Sequence, residues 1–191
     1  MEFLPLDSQS NGKFLTLTEK NQITCHTNCR QESQGTAFFP VSSSTSGPTS
    51  RGSFTIKCTN KPGRMRYFVG LADHLFNPAA GCADIAKNSL ASLENLKAGL
   101  HKNTGGTSTK SNVCLQSSTP SFHTGSLVKV EWSSCSGAGK NDENNNQLDV
   151  RISVDTTGFS QSCKVVKKKG AELFGFVSLY NREAVFEIVE E

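Results

Sequence analysis

The sequence lacks the features that mark a membrane protein, a strongly nucleic-acid-binding protein or a disulfide-built protein. It has no run approaching the ~18 apolar residues that a membrane helix needs. Its formal net charge is only +3, which is too small a field to attract nucleic acid or a membrane. The seven cysteines are odd in number and widely spaced, unlike a secreted disulfide framework. Since the N-terminus shows no leader pattern, we expect a reducing, cytoplasmic compartment.

Hydrophobic and charged residues are also scarce, at 35% and 19% of the chain. Ser, Thr, Asn and Gly take their place, and these residues are typical of turns and exposed sheet faces. A helical bundle would need more Ala, Leu, Glu and Lys. A chain of 191 residues buries roughly 70% of its unfolded surface, enough for one core. We therefore expect a single domain over residues 1–191, with no cofactor and no metal.

Short apolar runs separated by turn signals recur along the chain. The clearest is 148–155, where apolar and polar residues alternate strictly. The segment 66–72 begins with Arg66 and continues as an unbroken apolar run, which is typical of a fully buried strand. Residues 13–26 suggest a hairpin around a polar turn. Roughly nine to eleven such strands predict an all-β fold, an antiparallel sandwich of two sheets.

One segment has a helical period instead. Apolar residues recur at spacings of three and four from Ala86 to Leu100, and Asp84 stands where an N-cap would be. This pattern predicts one short helical insert at about 84–100, packed over an edge or an end of a sheet.

Three segments carry a family resemblance. They are Tyr-Phe-Val-Gly-Leu-Ala at 67–72, Phe-His-Thr-Gly-Ser-Leu-Val-Lys-Val-Glu at 122–131, and Leu-Phe-Gly-Phe-Val-Ser-Leu-Tyr at 173–180 with Val-Phe-Glu-Ile at 185–188. Together they resemble the SPRY/B30.2 family of concanavalin-like sandwiches, and the last pair resembles its closing hairpin. The likeness covers about 52–189 and leaves 1–51 as N-terminal strands and a loop. Ser126 and Gly175 depart from it, because the family usually has Asp and Pro there.

The resemblance implies a non-catalytic module that recognises a protein or peptide partner through its loops. In the family such a module is often the substrate-recognition part of an adaptor or ubiquitin ligase. We expect a monomeric domain. Long polar loops on a rigid scaffold are where recognition concentrates, and the candidates are 73–82, 103–112, 133–147, 156–162 and 181–184.

Six side chains are predicted to contact the partner, chosen for interface-prone residue types and for their positions beside these loops. Tyr67 and Trp132 also fit a core role, because both lie at strand positions. The six are Tyr67, His74, His101, Trp132, Tyr180 and Arg182.

Other functions stay open at this point. A carbohydrate-binding module would need an exposed aromatic platform, and the chain has one Trp and two Tyr. A zinc site at Cys25 and Cys29 lacks a second ligand pair at suitable spacing. Serine-hydrolase chemistry lacks a nucleophile elbow, and the acids Asp149 and Asp155 suggest a solvated strand face rather than a glycosidase. The lysines at 164–169 have no interleaved aromatic residues and suggest a solvated turn.

Overall fold

The computed structural model describes most of the strands and several of the turns. In the part of the chain that it describes, no helix is long and apolar enough to cross a membrane. The described residues are 1–2, 15–18, 21–25, 35–41, 44–45, 50–61, 66–73, 88–95, 98–102, 112–117, 122–134, 146–168, 170–179 and 183–189.

The described residues form fourteen strands, and every pairing between them is antiparallel. They are β1 (Leu15–Leu17), β2 (Gln22–Cys25), β3 (Gly35–Pro40), β4 (Ser44–Thr45), β5 (Ser50–Asn60), β6 (Phe68–Asp73), β7 (Ala91–Glu94), β8 (Ala98–Lys102), β9 (Asn112–Ser117), β10 (Leu127–Ser134), β11 (Gln147–Val154), β12 (Ser160–Val166), β13 (Leu173–Leu179) and β14 (Val185–Val189).

The strands make two sheets. The eight-stranded sheet has the order β1-β2-β14-β5-β10-β11-β12, with β4 beside β5, and the six-stranded sheet has the order β3-β13-β6-β7-β8-β9. Strands β10, β11 and β12 pack across from β6, β7 and β8. The predicted antiparallel sandwich is therefore confirmed. Strands from the first 51 residues join both sheets, because β2 pairs with β14 and β3 pairs with β13.

Along the strands of the eight-stranded sheet, alternating apolar and polar residues place the apolar side chains in the core. Along β11 the apolar side chains are buried and Asp149 and Arg151 are exposed, as the sequence predicts. The rings of Phe39 and Phe54 meet edge to face across the sandwich, with centroids 4.9 Å apart. These inward faces form one continuous hydrophobic core.

The predicted helical insert at 84–100 is wrong over its described part, where β7 and β8 form a paired hairpin. The apolar residues that suggested a helix face lie on strands instead, so that Leu93 pairs with Leu100. Pairing with β6 supplies long-range hydrogen bonds that override local periodicity. The buried Glu94 is satisfied by Arg66, whose Nε lies 2.6 Å from its Oε1. Residues 84–87 lie outside the described residues.

The closing pair of strands is not a hairpin. β13 lies in the six-stranded sheet and β14 in the eight-stranded sheet, so the chain crosses between layers after β13. Gly175 lies at the centre of β13, opposite Phe39. A Cβ at this position would overlap the Phe39 ring, which explains why glycine replaces the proline of the resembled family here.

Candidate functional site

Strand directions sort the connections between strands into two ends of the sandwich. The loop end is the end where β6, β8 and β10 finish and where β5 and β11 begin; the turn end is the opposite one. Connections at the loop end span 41–49, 74–90, 103–111, 135–146 and 167–172, and those at the turn end span 26–34, 61–67, 95–97, 118–126, 155–159 and 180–184.

The candidate loops of the sequence divide between these ends. Three of them, 73–82, 103–112 and 133–147, begin at the ends of β6, β8 and β10 and so share the loop end. The two others, 156–162 and 181–184, belong to the turn end, and residues 160–162 are part of β12. The three longest candidates therefore leave the same end of the sandwich, two from the six-stranded sheet and one from the eight-stranded sheet.

Backbone and side-chain bonds fix the strand ends beneath the loop end. The Ser50 N–H donates to Oγ of Ser134 at 2.8 Å. The Lys167 N–H donates to the carbonyl of Asn146 at 2.9 Å, and Nζ of Lys167 donates to the carbonyl of Ala171 at 3.2 Å. The connection 135–145 therefore starts and ends on anchored residues.

Trp132 lies at the loop end but belongs to the core. Its side chain is 3% exposed and packs on Phe54, with ring centroids 6.1 Å apart. Its indole Nε1 has no hydrogen-bond acceptor in the described part of the chain. Alternation along β10 points Trp132 inward, which fits the core role that the sequence also allows, and its predicted contact with a partner stays a prediction.

Tyr67 is likewise buried, at the turn end, and its ring packs on Phe186 with centroids 5.8 Å apart. Burial raises the pKa of Tyr67 well above its usual range, and the nearby Cys58 and Cys25 raise it further. This burial fits the core role that the sequence also allows for Tyr67, and its predicted contact with a partner stays a prediction. An exposed aromatic platform for a sugar cannot use either ring.

The structure does not describe the side chains of the four other predicted contact residues. His74, Tyr180 and Arg182 lie outside the described residues. The His101 backbone pairs with Ser92 and Val113 near the loop end. His74 directly follows Asp73, the last residue of β6, so the chain brings His74 and His101 to the same end. Their predicted roles stay predictions.

The buried Ser126 joins neighbouring turns at the turn end by hydrogen bonds. Oγ of Ser126 accepts from the His123 N–H at 3.0 Å and shares a hydrogen bond with Oγ1 of Thr156 at 2.6 Å. Oδ1 of Asp155 accepts from the N–H groups of Leu127 and Thr156 at 2.8 and 2.6 Å. The carboxylate that the resembled family carries at 126 is thus absent, and Asp155 from the neighbouring turn binds this backbone. Sequence reasoning assigned Asp155 only to a solvated face.

Three cysteines, Cys25, Cys58 and Cys163, are buried thiols that take part in no disulfide. Burial raises the pKa of Cys58 to about 12, against a weaker lowering by Lys61. Such a thiol is protonated and a poor nucleophile or metal ligand at neutral pH. Among the residues described, no group of three or more His, Cys, Asp or Glu side chains is placed to hold a metal ion; Cys29 lies outside them.

Comparison with solved structures finds binding domains of sandwich type. The chain is similar to the TRIM65 PSpry domain at 10% identity, covering 100% of this chain and 92% of that one, with a TM-score of 0.49. It is similar to arcelin-5, a lectin-like defence protein from Phaseolus vulgaris, at 13% identity and a TM-score of 0.46, and to lectin II from Ulex europaeus at 12% and 0.48. Each plant protein covers 92% of this chain and is 87% covered. No family model matches, and no curated protein matches by sequence.

Proposed function

We propose that this protein is a non-catalytic binding module that recognises a protein or peptide partner through the loop end. The observation that carries the proposal is that the three long connections after β6, β8 and β10 leave the same end of the sandwich, where hydrogen bonds anchor both strand ends that flank 135–145. Recognition concentrates on such loops because a rigid scaffold positions them at little further cost in ordering.

Composition supports a protein partner over a sugar. The connection 135–145 is rich in Asn, Gly and acidic residues, whose polar side chains and backbone supply adaptable hydrogen bonds. Sugar binding on a sandwich would use an exposed aromatic ring, and both Trp132 and Tyr67 are committed to the core. Within a larger protein, such a module would serve as the substrate-recognition part of an adaptor or ubiquitin ligase.

The test is affinity capture from native cell lysate with three matched baits, followed by mass spectrometry. The first is the wild type. The second replaces 135–145 with a short Gly/Ser linker and keeps Ser134 and Asn146, whose hydrogen bonds anchor the strand ends. The third, a turn-end control, carries His123→Gln and Glu183→Gly, two exposed positions. Glycine also suits position 183, where φ is 69°.

A protein recovered by the wild type and the turn-end control, but lost with the linker variant, is the expected result. Recovery by the linker variant and loss by the control would move the site to the turn end and contradict the proposal. Retention of glycans in place of any protein would favour the carbohydrate-binding alternative.

A further inference from the structure

We infer that the free edge of β12 is a second binding surface, which accepts an extended acidic segment of a partner protein as an added antiparallel strand. This surface is separate from the loop end and goes beyond the function proposed above. Three features carry it: the backbone pattern of β12, the extension of the opposite sheet past it, and the side chains along its outer face.

The backbone of β12 has one satisfied edge and one open edge. β12 is the last strand of the eight-stranded sheet and pairs only with β11 in the described part of the chain. Backbone bonds from Val154 to Phe159 and from Lys167 to Asn146 bracket the β11–β12 ladder and set its alternation. The inward residues of β12 are therefore bonded to β11, and Ser162, Lys164 and Val166 direct their N–H and C=O groups outward from the sheet edge.

The six-stranded sheet extends one strand beyond this edge. β12 packs across from β8, and β9 continues the opposite sheet past β8. No described strand of the eight-stranded sheet lies beyond β12 to face β9. A strand added to β12 would therefore lie over β9, with one side covered, instead of projecting into water. Such one-sided cover is what distinguishes this edge from an ordinary exposed edge strand.

The side chains along the edge specify the chemistry of the partner. Val166 is 46% exposed, and it is one of two large hydrophobic side chains exposed among the described residues. Lys164, two residues before it, is also exposed, and Lys168 follows. Opposite residues of antiparallel strands share a face, so an added strand would place an apolar residue beside Val166 and an acidic residue beside Lys164. Nζ of Lys167 is held by the Ala171 carbonyl.

An inter-sheet bond keeps this edge in place. Oε1 of Gln161 accepts from the N–H of Leu100 at 3.2 Å, where the β8–β9 pairing has a register shift. The bond joins β12 to the opposite sheet close to the position that the added strand would occupy. The edge is therefore formed before the partner arrives, which lowers the entropic cost of binding.

The probe is the end-capped peptide Thr-Thr-Val-Thr-Glu-Thr-Thr, labelled for fluorescence anisotropy. In the antiparallel register its Val lies beside Val166 and its Glu beside Lys164. We expect saturable binding to the full chain, and NMR protection of the Ser162, Lys164 and Val166 amides against hydrogen exchange. N-methylation of the peptide Val and Glu should abolish binding, because their N–H groups face β12. N-methylation of the Thr residues on either side of the Glu should leave it intact.

Variants of the chain test the same geometry. Lys164→Glu should lower the affinity for the peptide about fivefold and improve binding of a peptide with Lys in place of Glu. Ser162→Pro should remove an edge N–H while the sheet persists, as circular dichroism would show. Lys57→Glu, on the same outer face but away from the edge, is the control and should bind normally.

Two results would overturn the inference: equal binding of the two N-methylated peptides, or no binding of the unmodified peptide to a folded wild-type chain. The variant with a linker at 135–145 separates this surface from the loop end. It should keep the peptide even where it loses a captured protein, and loss of the peptide by this variant would contradict a site on β12.

Discussion

The two ends of the sandwich use polar residues differently. At the turn end, side chains bind backbone groups of neighbouring turns: Ser126 and Asp155 join 122–127 to 155–156, and Nδ2 of Asn60 donates to the Glu183 carbonyl at 2.8 Å. At the loop end, the bonds fix the strand ends, and the polar residues of 135–145 lie beyond them in the sequence. The bonds of the turn end thus hold neighbouring turns together, whereas we propose that the loop end presents the binding surface.

Polarity alone therefore does not identify a binding surface. His123, Thr124 and Asp155 are exposed and polar, yet hydrogen bonds at 123, 124 and 155 close the turns of their own chain. Changes at the turn end should therefore reduce stability and leave binding intact. Changes within 135–145 should reduce binding and leave stability intact. The following substitutions test that division in order of decreasing effect.

Substitution of Trp132 should have the largest effect on stability, because this residue lies at the loop end but its side chain belongs to the core. Trp132→Ala should reduce the free energy of unfolding by about 3–5 kcal/mol, since it leaves a large cavity against Phe54. Trp132→Phe keeps an aromatic ring but is smaller than the indole and lacks its N–H, so it should cost less than Trp132→Ala, about 1–2 kcal/mol, and retain the captured partner. Urea unfolding and capture measure both. A Trp132→Phe variant that is stable but loses the partner would show that the indole takes part in binding.

Cys58 predicts a pH dependence at the turn end. Its pKa is raised from 9.0 unfolded to about 12 folded, so the stability that the protonated thiol contributes is complete below pH 9 and is lost as pH rises toward 12. Cys58→Ala lacks this loss. The stability advantage of the wild type over the variant should therefore shrink by roughly 1 kcal/mol per pH unit in that window. Denaturant titrations at several alkaline pH values measure it, and parallel curves would contradict the burial argument.

Ser126→Ala should cost about 1–3 kcal/mol, because the His123 N–H and the Thr156 hydroxyl lose a buried partner. The matched control is Ser162→Ala on the exposed face of β12, where we expect less than about 0.5 kcal/mol. Capture should be normal with both. Equal stability of the two variants would mean that the Ser126 bonds contribute nothing measurable.

Ser134→Ala is the loop-end counterpart and should cost about 0.5–1 kcal/mol, less than Ser126→Ala, because its hydroxyl accepts one part-buried bond, from the Ser50 N–H, whereas the Ser126 hydroxyl makes more than one. Thermal unfolding gives the value. A loss larger than that of Ser126→Ala would reverse the assignment of the two ends.

Sequence patterns predicted the strands where local alternation and burial agree. β11 alternates strictly because one face meets the core, and β6 is continuously apolar because both of its faces are covered. The stripe at 84–100 misled because Leu93 and Leu100 fit a helix face as well as a strand pair, and only the partners β6 and β9 decide between them. The same dependence on distant partners hid the crossing from β13 to β14.

The candidate site was predictable in outline but not by residue. Loop composition pointed to 133–147, but which loops share an end follows from strand directions that no local pattern contains. Tyr67 and Trp132 fit the residue types of an interface, and their inward orientation became clear only from the cross-strand pairing of β10 and from their burial in the core. Lys164 belongs to an edge strand rather than a turn, a distinction set by the register of β11 and β12.

The most direct test of the loop-end claim is hydrogen exchange, read by mass spectrometry, on this protein alone and with its captured partner. We expect slower exchange on binding in peptides that cover 135–145 and the adjoining ends of β10 and β11, and unchanged exchange at 122–126 and 155–159. Protection confined to the turn-end segments, with 135–145 unchanged, would contradict it.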